Sequence, residues 1–357
     1  MRKAIERARI EAGEVEDVIL GCGLPEGATG HNIARNAALF AGFGEGVPGA
    51  TINRYCGSGL TAASIIANRI ATGEMKVGVA GGVESISLVQ FNLNFNGFFY
   101  EPLQQKMPAV WWTMNQTADL VAQKYGFTRE ALDEYVVGSQ KRVEAARAAG
   151  KFAEEIEPIT THMKVTNKAD NASRLEEVTL DHDEGPRADT TLEGLAKLKP
   201  VYEDGTTTAG NASQLSDGAA AVVMMDADLA ARRGLPILGL FRGMQLGAVA
   251  PEEMSIAIAP AIGKLMRHHA LSKNDIDLWE LHEAYAVTTL YNQRELDTPW
   301  ETTNVNGGAI ALGHPYACRA FAIWARPCSN WAAARLTKPL SASARRAGWR
   351  RRRFSNR

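Results

Sequence analysis

A cysteine lies between a short predicted strand and a long helix whose side chains are apolar on nearly every face. The strand is "GATIN" (residues 49–53), and "CGSGLTAASIIANRIATG" begins at Cys56 and ends at Gly73. A helix that is apolar nearly all round is normally buried. The next segment, "KVGVAGG" (residues 76–82), has the composition of a buried strand. This run therefore predicts an α/β fold with a helix in its interior.

The helix–strand order occurs twice along the chain. "AIERARIEAG" predicts a helix and "VEDVILGCG" a strand that ends in glycines. Much later, "AIGKLMRHHALSKNDIDLWELHE" predicts a helix, a polar loop and a strand over "IDLWEL" (residues 276–281). This weak internal repeat indicates two similar α/β halves.

The residue composition and the hydrophobic pattern change between about residues 89 and 207. This region holds aromatic clusters such as "FNLNFNGFFYEP", polar linkers and amphipathic helices such as "TREALDEYVVGSQKRVEAARAAG". We interpret it as an inserted, more solvated subdomain. "NASQLSDGAAAVVMMD" then returns to a turn and a buried strand.

Composition favours an ordinary globular protein, with 45% hydrophobic and 22% charged residues. No apolar run is long enough to span a bilayer. The charged first helix does not resemble a secretory signal. Four cysteines in 357 residues fit a reducing cytoplasm better than a disulfide framework. We expect a cytoplasmic protein that does not bind membranes.

The charge is uneven along the chain. Ten arginines and one lysine follow Ala317, which leaves about −12 on residues 1–316. A basic tail can bind nucleic acid or anionic membrane. The alternative, which we prefer, is that residues 317–357 are not native sequence, and we expect no nucleic-acid partner.

Cys56 has the setting of a nucleophile. A helix N-terminus offers free N–H groups and a positive dipole end, and both lower a thiol pKa from its free value of ~8.5. The neighbouring Gly57 and Gly59 allow a ligand or another backbone to come close. The alternative is a buried, inert cysteine.

Two histidines could serve as the base that a nucleophile needs. His314 lies in the loop motif "GHP", and His282 lies in "ELHEAYA" after the repeated strand. Each could equally be a structural residue. The sequence shows no local Cys/His spacing of the kind that binds metals and no phosphate-binding loop.

Five segments together resemble the thiolases, the acyl-CoA acetyltransferase family. They are "NRYCGSGLTAA", "AGGVESIS", "TAGNASQLSDGAAA", "LHEAYA" and "NVNGGAIALGHP", in the family's order and at its approximate spacing over residues 4–316. Each motif alone is weak, but five in order are specific.

The resemblance implies a thiolase-like α/β fold, two similar βαβαβαββ halves with an inserted loop domain. It divides the chain into a first half (1–88 and 208–233), the loop domain (89–207), a second half (234–316) and an atypical basic tail (317–357). It also implies homodimers or homotetramers that act on acyl-CoA. Coenzyme A would be substrate and product, with no other cofactor and no metal.

The resemblance assigns roles to three residues. Cys56 matches the nucleophile that carries the acyl group as a thioester, and His314 matches the base that takes its proton. His282 stands where many thiolases have an asparagine that holds an oxyanion-hole water. The implied reaction is the ping-pong synthesis or cleavage of 3-ketoacyl-CoA.

Two further residues are weaker candidates. Met114, in "TMNQTADLVA", would lie near the acyl pocket, although an ordinary core methionine is nearly as good an interpretation. Ser213, in the well-matched "NAS" turn, would contact coenzyme A.

The chain also departs from the family pattern. We expect the family's first strand to be absent from residues 1–357, and "GHPYACRAFAIWARPCSNW" contains neither "SGxR" nor the "CxGGG" that carries the second catalytic cysteine. We assign no role to Cys318 or Cys328 and hypothesise a shifted reading frame near residue 317. The alternative function is therefore a catalytically impaired thiolase-like protein that retains at most coenzyme A binding or acyl-Cys56 formation.

Other classes are less consistent with the motifs. A ketoacyl synthase shares the fold and a cysteine nucleophile, but "NVNGGAIALGHP" and "HEAYA" favour a thiolase. A cysteine hydrolase or redox enzyme would not need all five motifs.

Overall fold

The computed structural model describes residues 1–167 and 171–318. Cys328 and nearly all of the basic tail lie outside the described residues. Across the part described, no helix has both the length and the apolar content needed to cross a lipid bilayer. The helices are α1 Arg2–Ala8, α2 Ile33–Phe40, α3 Ser58–Thr72, α4 Ile86–Val89, α5 Glu101–Lys106, α6 Met114–Tyr125, α7 Arg129–Ala148, α8 Leu192–Ala196, α9 Ala227–Arg232, α10 Ile258–His268, α11 Ala286–Leu296 and α12 Ala309–Leu312.

The main sheet has four strands in the order β2-β1-β3-β6. Strands β1 and β3 are almost wholly buried, as expected for the interior of a sheet covered on both faces. β1 pairs in parallel with β2 and β3, and β6 runs antiparallel to β3. The strands are β1 Asp17–Gly21, β2 Gly49–Ile52, β3 Val77–Glu84 and β6 Gly218–Met225, while β4 Ile159–Thr166 and β5 Ser173–Leu180 form a separate hairpin.

Helix α3 forms where the sequence predicts it and ends at Gly73, which adopts the left-handed conformation (φ 82°) that favours glycine. Its burial is less complete than predicted. Ala62, Ala63 and Ile66 are fully buried against the sheet, whereas Leu60 and Ile70 are only half-buried. The main sheet covers one face of the helix, and among the described residues no second sheet of comparable size covers the other.

Residues 89–207 contain helices and an exposed hairpin. A hydroxyl side chain caps each of the two long helices, Thr113 on α6 and Thr128 on α7. Both helices pack their apolar faces on α11, so this region shares a core with the second half of the chain. Hairpin β4–β5 is largely exposed, which fits the predicted solvated insert. The exact domain boundaries stay predictions.

The second half keeps its predicted helix but not its predicted strand. α10 forms over part of the repeated segment. Residues 276–281 do not form an extended strand, and Trp279 makes one parallel bridge with Thr303. A parallel strand is normally stable only inside a covered sheet, and the described residues supply this segment with one bridging neighbour.

We predict that Ile66→Ala lowers the free energy of unfolding by about 2–5 kcal/mol, because it leaves a cavity between α3 and the sheet. Urea denaturation measures the change. Ile159→Ala is the matched control, since Ile159 is 60% exposed and its truncation should cost no more than about 0.5 kcal/mol. Equal effects of the two substitutions would contradict the packing described here.

Candidate active site

Cys56 lies in a tight turn between β2 and α3. Residues Tyr55–Gly57 form one turn of 3₁₀ helix. The residue before the cysteine, Tyr55, has a φ of 45°, a left-handed conformation that costs about 1–3 kcal/mol in a non-glycine residue. The side chain of Asn53 holds the turn, because it accepts from the Tyr55 N–H (2.7 Å) and donates to the Gly23 carbonyl (3.1 Å). The sharp turn presents the thiol at the start of the helix.

The close approach predicted around Gly59 occurs inside the protein. A Cβ on Gly21, at the end of β1, would lie 2.3 Å from the Gly59 nitrogen. The absence of a side chain at Gly21 lets α3 pack directly on the strand, which fixes the position of the turn that carries Cys56.

The two histidines lie beside the cysteine. The Cys56 Sγ is 3.1 Å from Nε2 of His314, and that nitrogen is 3.1 Å from Nε2 of His282. The imidazole rings meet edge to face with centroids 4.2 Å apart. Three segments that are far apart in sequence therefore bring a thiol and two imidazoles into one cluster.

His314 is held by its backbone. Its N–H donates to the Gln214 carbonyl (3.0 Å), and the residue forms a parallel bridge with Leu215. The preceding Gly313 has a φ of 94°, and a Cβ there would lie 2.3 Å from the Ser216 hydroxyl. The glycine of "GHP" is thus required for the loop to pass this close to its neighbour.

Glu283, next to His282, is a buried carboxylate that the sequence interpretation did not single out. It has no exposed surface. It accepts from the Tyr135 hydroxyl (2.7 Å) and the Asn304 amide (3.0 Å) on Oε1, and from the Ser139 hydroxyl (2.9 Å) and the Ile310 N–H (3.1 Å) on Oε2. Its bonds join the His282 loop to α7 and to the segment that leads to His314.

This carboxylate also explains a glycine of the "NGGAIALGHP" motif. A Cβ on Gly308 would lie 2.2 Å from the carboxyl carbon of Glu283. Burial, with Glu283 beside it, raises the pKa of Tyr135 well above its usual value, so its hydroxyl stays a donor. The sequence signals for this role were an acidic residue directly after His282 and the Asn/Gly-rich segment that precedes His314.

A second buried carboxylate, Glu84, supports the other side of the site. It lies at the end of β3 and accepts from the N–H groups of Gly23 (2.8 Å) and Leu24 (2.9 Å) and of Ala317 (3.4 Å). The Cys22 thiol also donates to it at 3.5 Å. Glu84 therefore ties the loop after β1 to the chain just after His314.

The environment of Cys56 raises its pKa, contrary to the sequence expectation. Burial is the main cause and brings the pKa of the thiol to about 12, with the Glu84 carboxylate adding to the rise. A backbone hydrogen bond at the helix start acts in the expected direction but is the smaller effect. The thiol is therefore protonated at neutral pH and needs a base.

The two weaker candidates lie around the His282 loop. The Ser213 N–H donates to the carbonyl of Ala284 (3.0 Å). Met114 is the first residue of α6, and the next residue, Asn115, accepts from the Tyr285 hydroxyl (2.8 Å). Ser213 thus contacts the segment after His282 directly, and Met114 is next to a residue that contacts it. Contacts of Ser213 and Met114 with substrate stay predictions.

The cluster also has the donor set of a metal site. One ligand atom from each of Cys56, His282 and His314 lies within 4.8 Å of the others. The sequence expectation of no metal site rested on local spacing, which cannot detect ligands from three distant segments.

Together, the fold and the site define an α/β protein with a cysteine at a helix start, one imidazole 3.1 Å from its sulfur and a second imidazole beside the first. Family models match the chain as the thiolase N-terminal domain over residues 1–228 and the thiolase C-terminal domain over residues 235–330. The chain belongs to the thiolase family.

Individual relatives agree. The chain is 41% identical to the 3-ketoacyl-CoA thiolase of Bacillus subtilis over 89% of this chain and 81% of that protein. It is similar in structure to the Bacillus anthracis acetyl-CoA acetyltransferase, with a TM-score of 0.82, 36% identity, and 94% of this chain and 85% of that one covered. It also matches the dimeric peroxisomal thiolase of Saccharomyces cerevisiae (TM-score 0.81, 34% identity, 91% and 80% covered). These likenesses confirm the predicted thiolase-like α/β fold.

We predict that Glu283→Ala lowers the free energy of unfolding by at least about 2 kcal/mol, because it leaves several buried donors without an acceptor. Urea denaturation checks this. Glu154→Ala, on an exposed glutamate, serves as the control and should change stability by no more than about 0.5 kcal/mol. A loss at Glu283 no larger than this control would show that the carboxylate does not brace the site.

The raised pKa of Cys56 predicts a steep pH dependence of its alkylation. Below the pKa the thiolate fraction increases about tenfold per pH unit, so the rate with iodoacetamide should climb continuously from pH 7 to pH 10. Peptide mapping assigns the label to Cys56. A rate that is already at its plateau by pH 8 would mean a thiol pKa below its free value.

Proposed function

We propose that this protein is an acyl-CoA acyltransferase that makes or cleaves 3-ketoacyl-CoA through an acyl-Cys56 thioester. The observation that carries the proposal is the 3.1 Å contact between Cys56 Sγ and His314 Nε2, on a chain of the thiolase family. The names of the Bacillus relatives, a 3-ketoacyl-CoA thiolase and an acetyl-CoA acetyltransferase, support the substrate class.

The first half-reaction needs the histidine because the thiol is protonated at neutral pH. His314 Nε2 takes the proton while Sγ attacks the thioester carbonyl of acyl-CoA. The tetrahedral intermediate then expels the coenzyme A thiolate, which recovers the proton. One thioester replaces another, so the step is nearly isoenergetic and reversible.

In this proposal His282 holds the water of the oxyanion hole. Nε2 of His314 has one hydrogen-bonding position, so its contacts to Cys56 and to His282 compete. Once Cys56 is acylated it no longer donates a proton. The two imidazoles can then share a water or polarise the thioester oxygen of the second substrate.

The second half-reaction, in which a second acyl-CoA loses an α-proton and attacks acyl-Cys56, distinguishes an active enzyme from an impaired or inactive thiolase-like protein. Removal of an α-proton in this family needs the cysteine of "CxGGG", which these 357 residues do not contain. Cys318 is buried, only four residues after His314, and Cys328 lies outside the described residues. The alternative is a protein that forms acyl-Cys56 or binds coenzyme A but condenses acyl groups poorly.

We further propose that coenzyme A is the substrate and product and that Met114 and Ser213 lie on its path. Assembly as a homodimer or homotetramer is part of the same proposal, supported by the dimeric yeast relative. Light scattering after gel filtration measures the assembly. We also propose that the protein is cytoplasmic.

We predict that incubation with acetyl-CoA adds one acetyl group to the protein, seen by intact mass. Cys56→Ala should abolish the adduct, and His314→Ala should slow its formation by about 100-fold or more, because a positioned base contributes about 10²–10⁴-fold. His162→Asn, on an exposed histidine of β4, is the matched control and should acetylate like the parent chain.

Two outcomes distinguish the candidates. An adduct without measurable acetoacetyl-CoA synthesis favours the impaired form. No adduct on folded protein, or an adduct that survives Cys56→Ala, overturns the proposed mechanism.

A further inference from the structure

We propose that the Cys56–His282–His314 cluster is a reversible binding site for a thiophilic divalent cation, zinc above all, and that metal bound there blocks acylation. The inference of metal binding depends only on the geometry and the ligand types of this cluster. The inhibitory consequence rests on the proposed function, because the metal would occupy both the nucleophile and its base.

The distances suit a tetrahedral ion. The two closest contacts, Sγ to Nε2 of His314 and Nε2 to Nε2 of the histidines, are each 3.1 Å, and one ligand atom from each of the three residues lies within 4.8 Å of the others. Zinc–sulfur bonds of about 2.3 Å and zinc–nitrogen bonds of about 2.0–2.1 Å place tetrahedral ligands about 3.3–3.6 Å apart. Small side-chain rotations therefore complete the site.

The ligand types select the metal. A thiolate with two imidazoles favours zinc, cobalt or copper, whereas magnesium and calcium require oxygen ligands. On binding, the metal–sulfur bond forms as the thiol proton leaves to solvent, and the imidazoles bind as neutral ligands. The residues Cys56 and His282 keep some solvent-accessible surface although the thiol itself is largely desolvated, so one water can reach the fourth position.

The backbone around the ligands is already fixed. The loop of His282 is held on one side by Glu283 and on the other by the Leu281 N–H, which donates to the Asn304 side chain (2.7 Å). The His314 backbone is tied to Gln214. Ligands held in place by supporting hydrogen bonds lose little freedom on metal binding.

The histidine at position 282 makes this site possible. An asparagine there, as in many thiolases, offers an amide in place of the second imidazole. Two protein ligands would remain, too few for a stable tetrahedral zinc site. We therefore expect His282→Asn to weaken cobalt binding by at least about tenfold.

The test uses Co²⁺ alone as the probe, added to chelator-treated full-length protein. We expect one equivalent to give a thiolate-to-cobalt absorption band and tetrahedral visible bands, and Zn²⁺ to displace them. Cys56→Ala should abolish the thiolate band, and His282→Asn should shift the titration to higher cobalt. His162→Asn, on an exposed histidine of β4, is the matched control and should titrate like the parent chain.

The absence of a thiolate–cobalt band, or a band that persists in Cys56→Ala, overturns the site. Circular dichroism confirms that each variant is folded before it is titrated.

A second measurement separates this inference from the proposed function. Zn²⁺ should block acetyl transfer to Cys56 in the parent chain, and a chelator should restore it. A cobalt site on a protein that never acetylates leaves the metal inference standing and removes the proposed function. Acetylation that continues while cobalt saturates Cys56 contradicts the inhibitory consequence.

Discussion

The buried carboxylate of Glu283 is the interaction on which the geometry of the site depends. It accepts from four donors and has no exposed surface. These donors come from α7, from Asn304 and from α12, so one side chain joins the loop of His282 to the segment that ends at His314. A buried carboxylate with fewer donors would be strongly destabilising, and this requirement fixes the register of all three segments.

Burial also decides the chemistry of the nucleophile. The start of α3 favours thiolate, but the loss of solvent around Cys56 outweighs that effect and raises its pKa to about 12. The thiol is therefore neutral at rest, and in the mechanism that we propose His314 ionises it during attack. The same arrangement of sulfur and two nitrogens gives the cluster its affinity for soft cations. The proposed base catalysis and the proposed metal binding thus share one structural origin.

The sequence predicts the local elements well and the long-range contacts less well. Helix α3 and strands β1–β3 follow from short-range patterns, and the family motifs point to Cys56, His282 and His314. The role of Glu283 was missed because its four partners are distant in sequence. The sign of the Cys56 pKa shift was wrong because burial is a property of the packed site. The strand expected at residues 276–281 is reduced to one bridge, since a parallel strand depends on its neighbours.

A crystal structure of the protein frozen after a short soak with acetyl-CoA tests the central claim most directly. We expect density for an acetyl group continuous with Sγ of Cys56, with the imidazoles of His314 and His282 both around it and Glu283 still bonded to its donors. An acetyl group on any other residue, or a Cys56 whose sulfur lies out of reach of His314, would rule out the proposed transfer through Cys56 and His314.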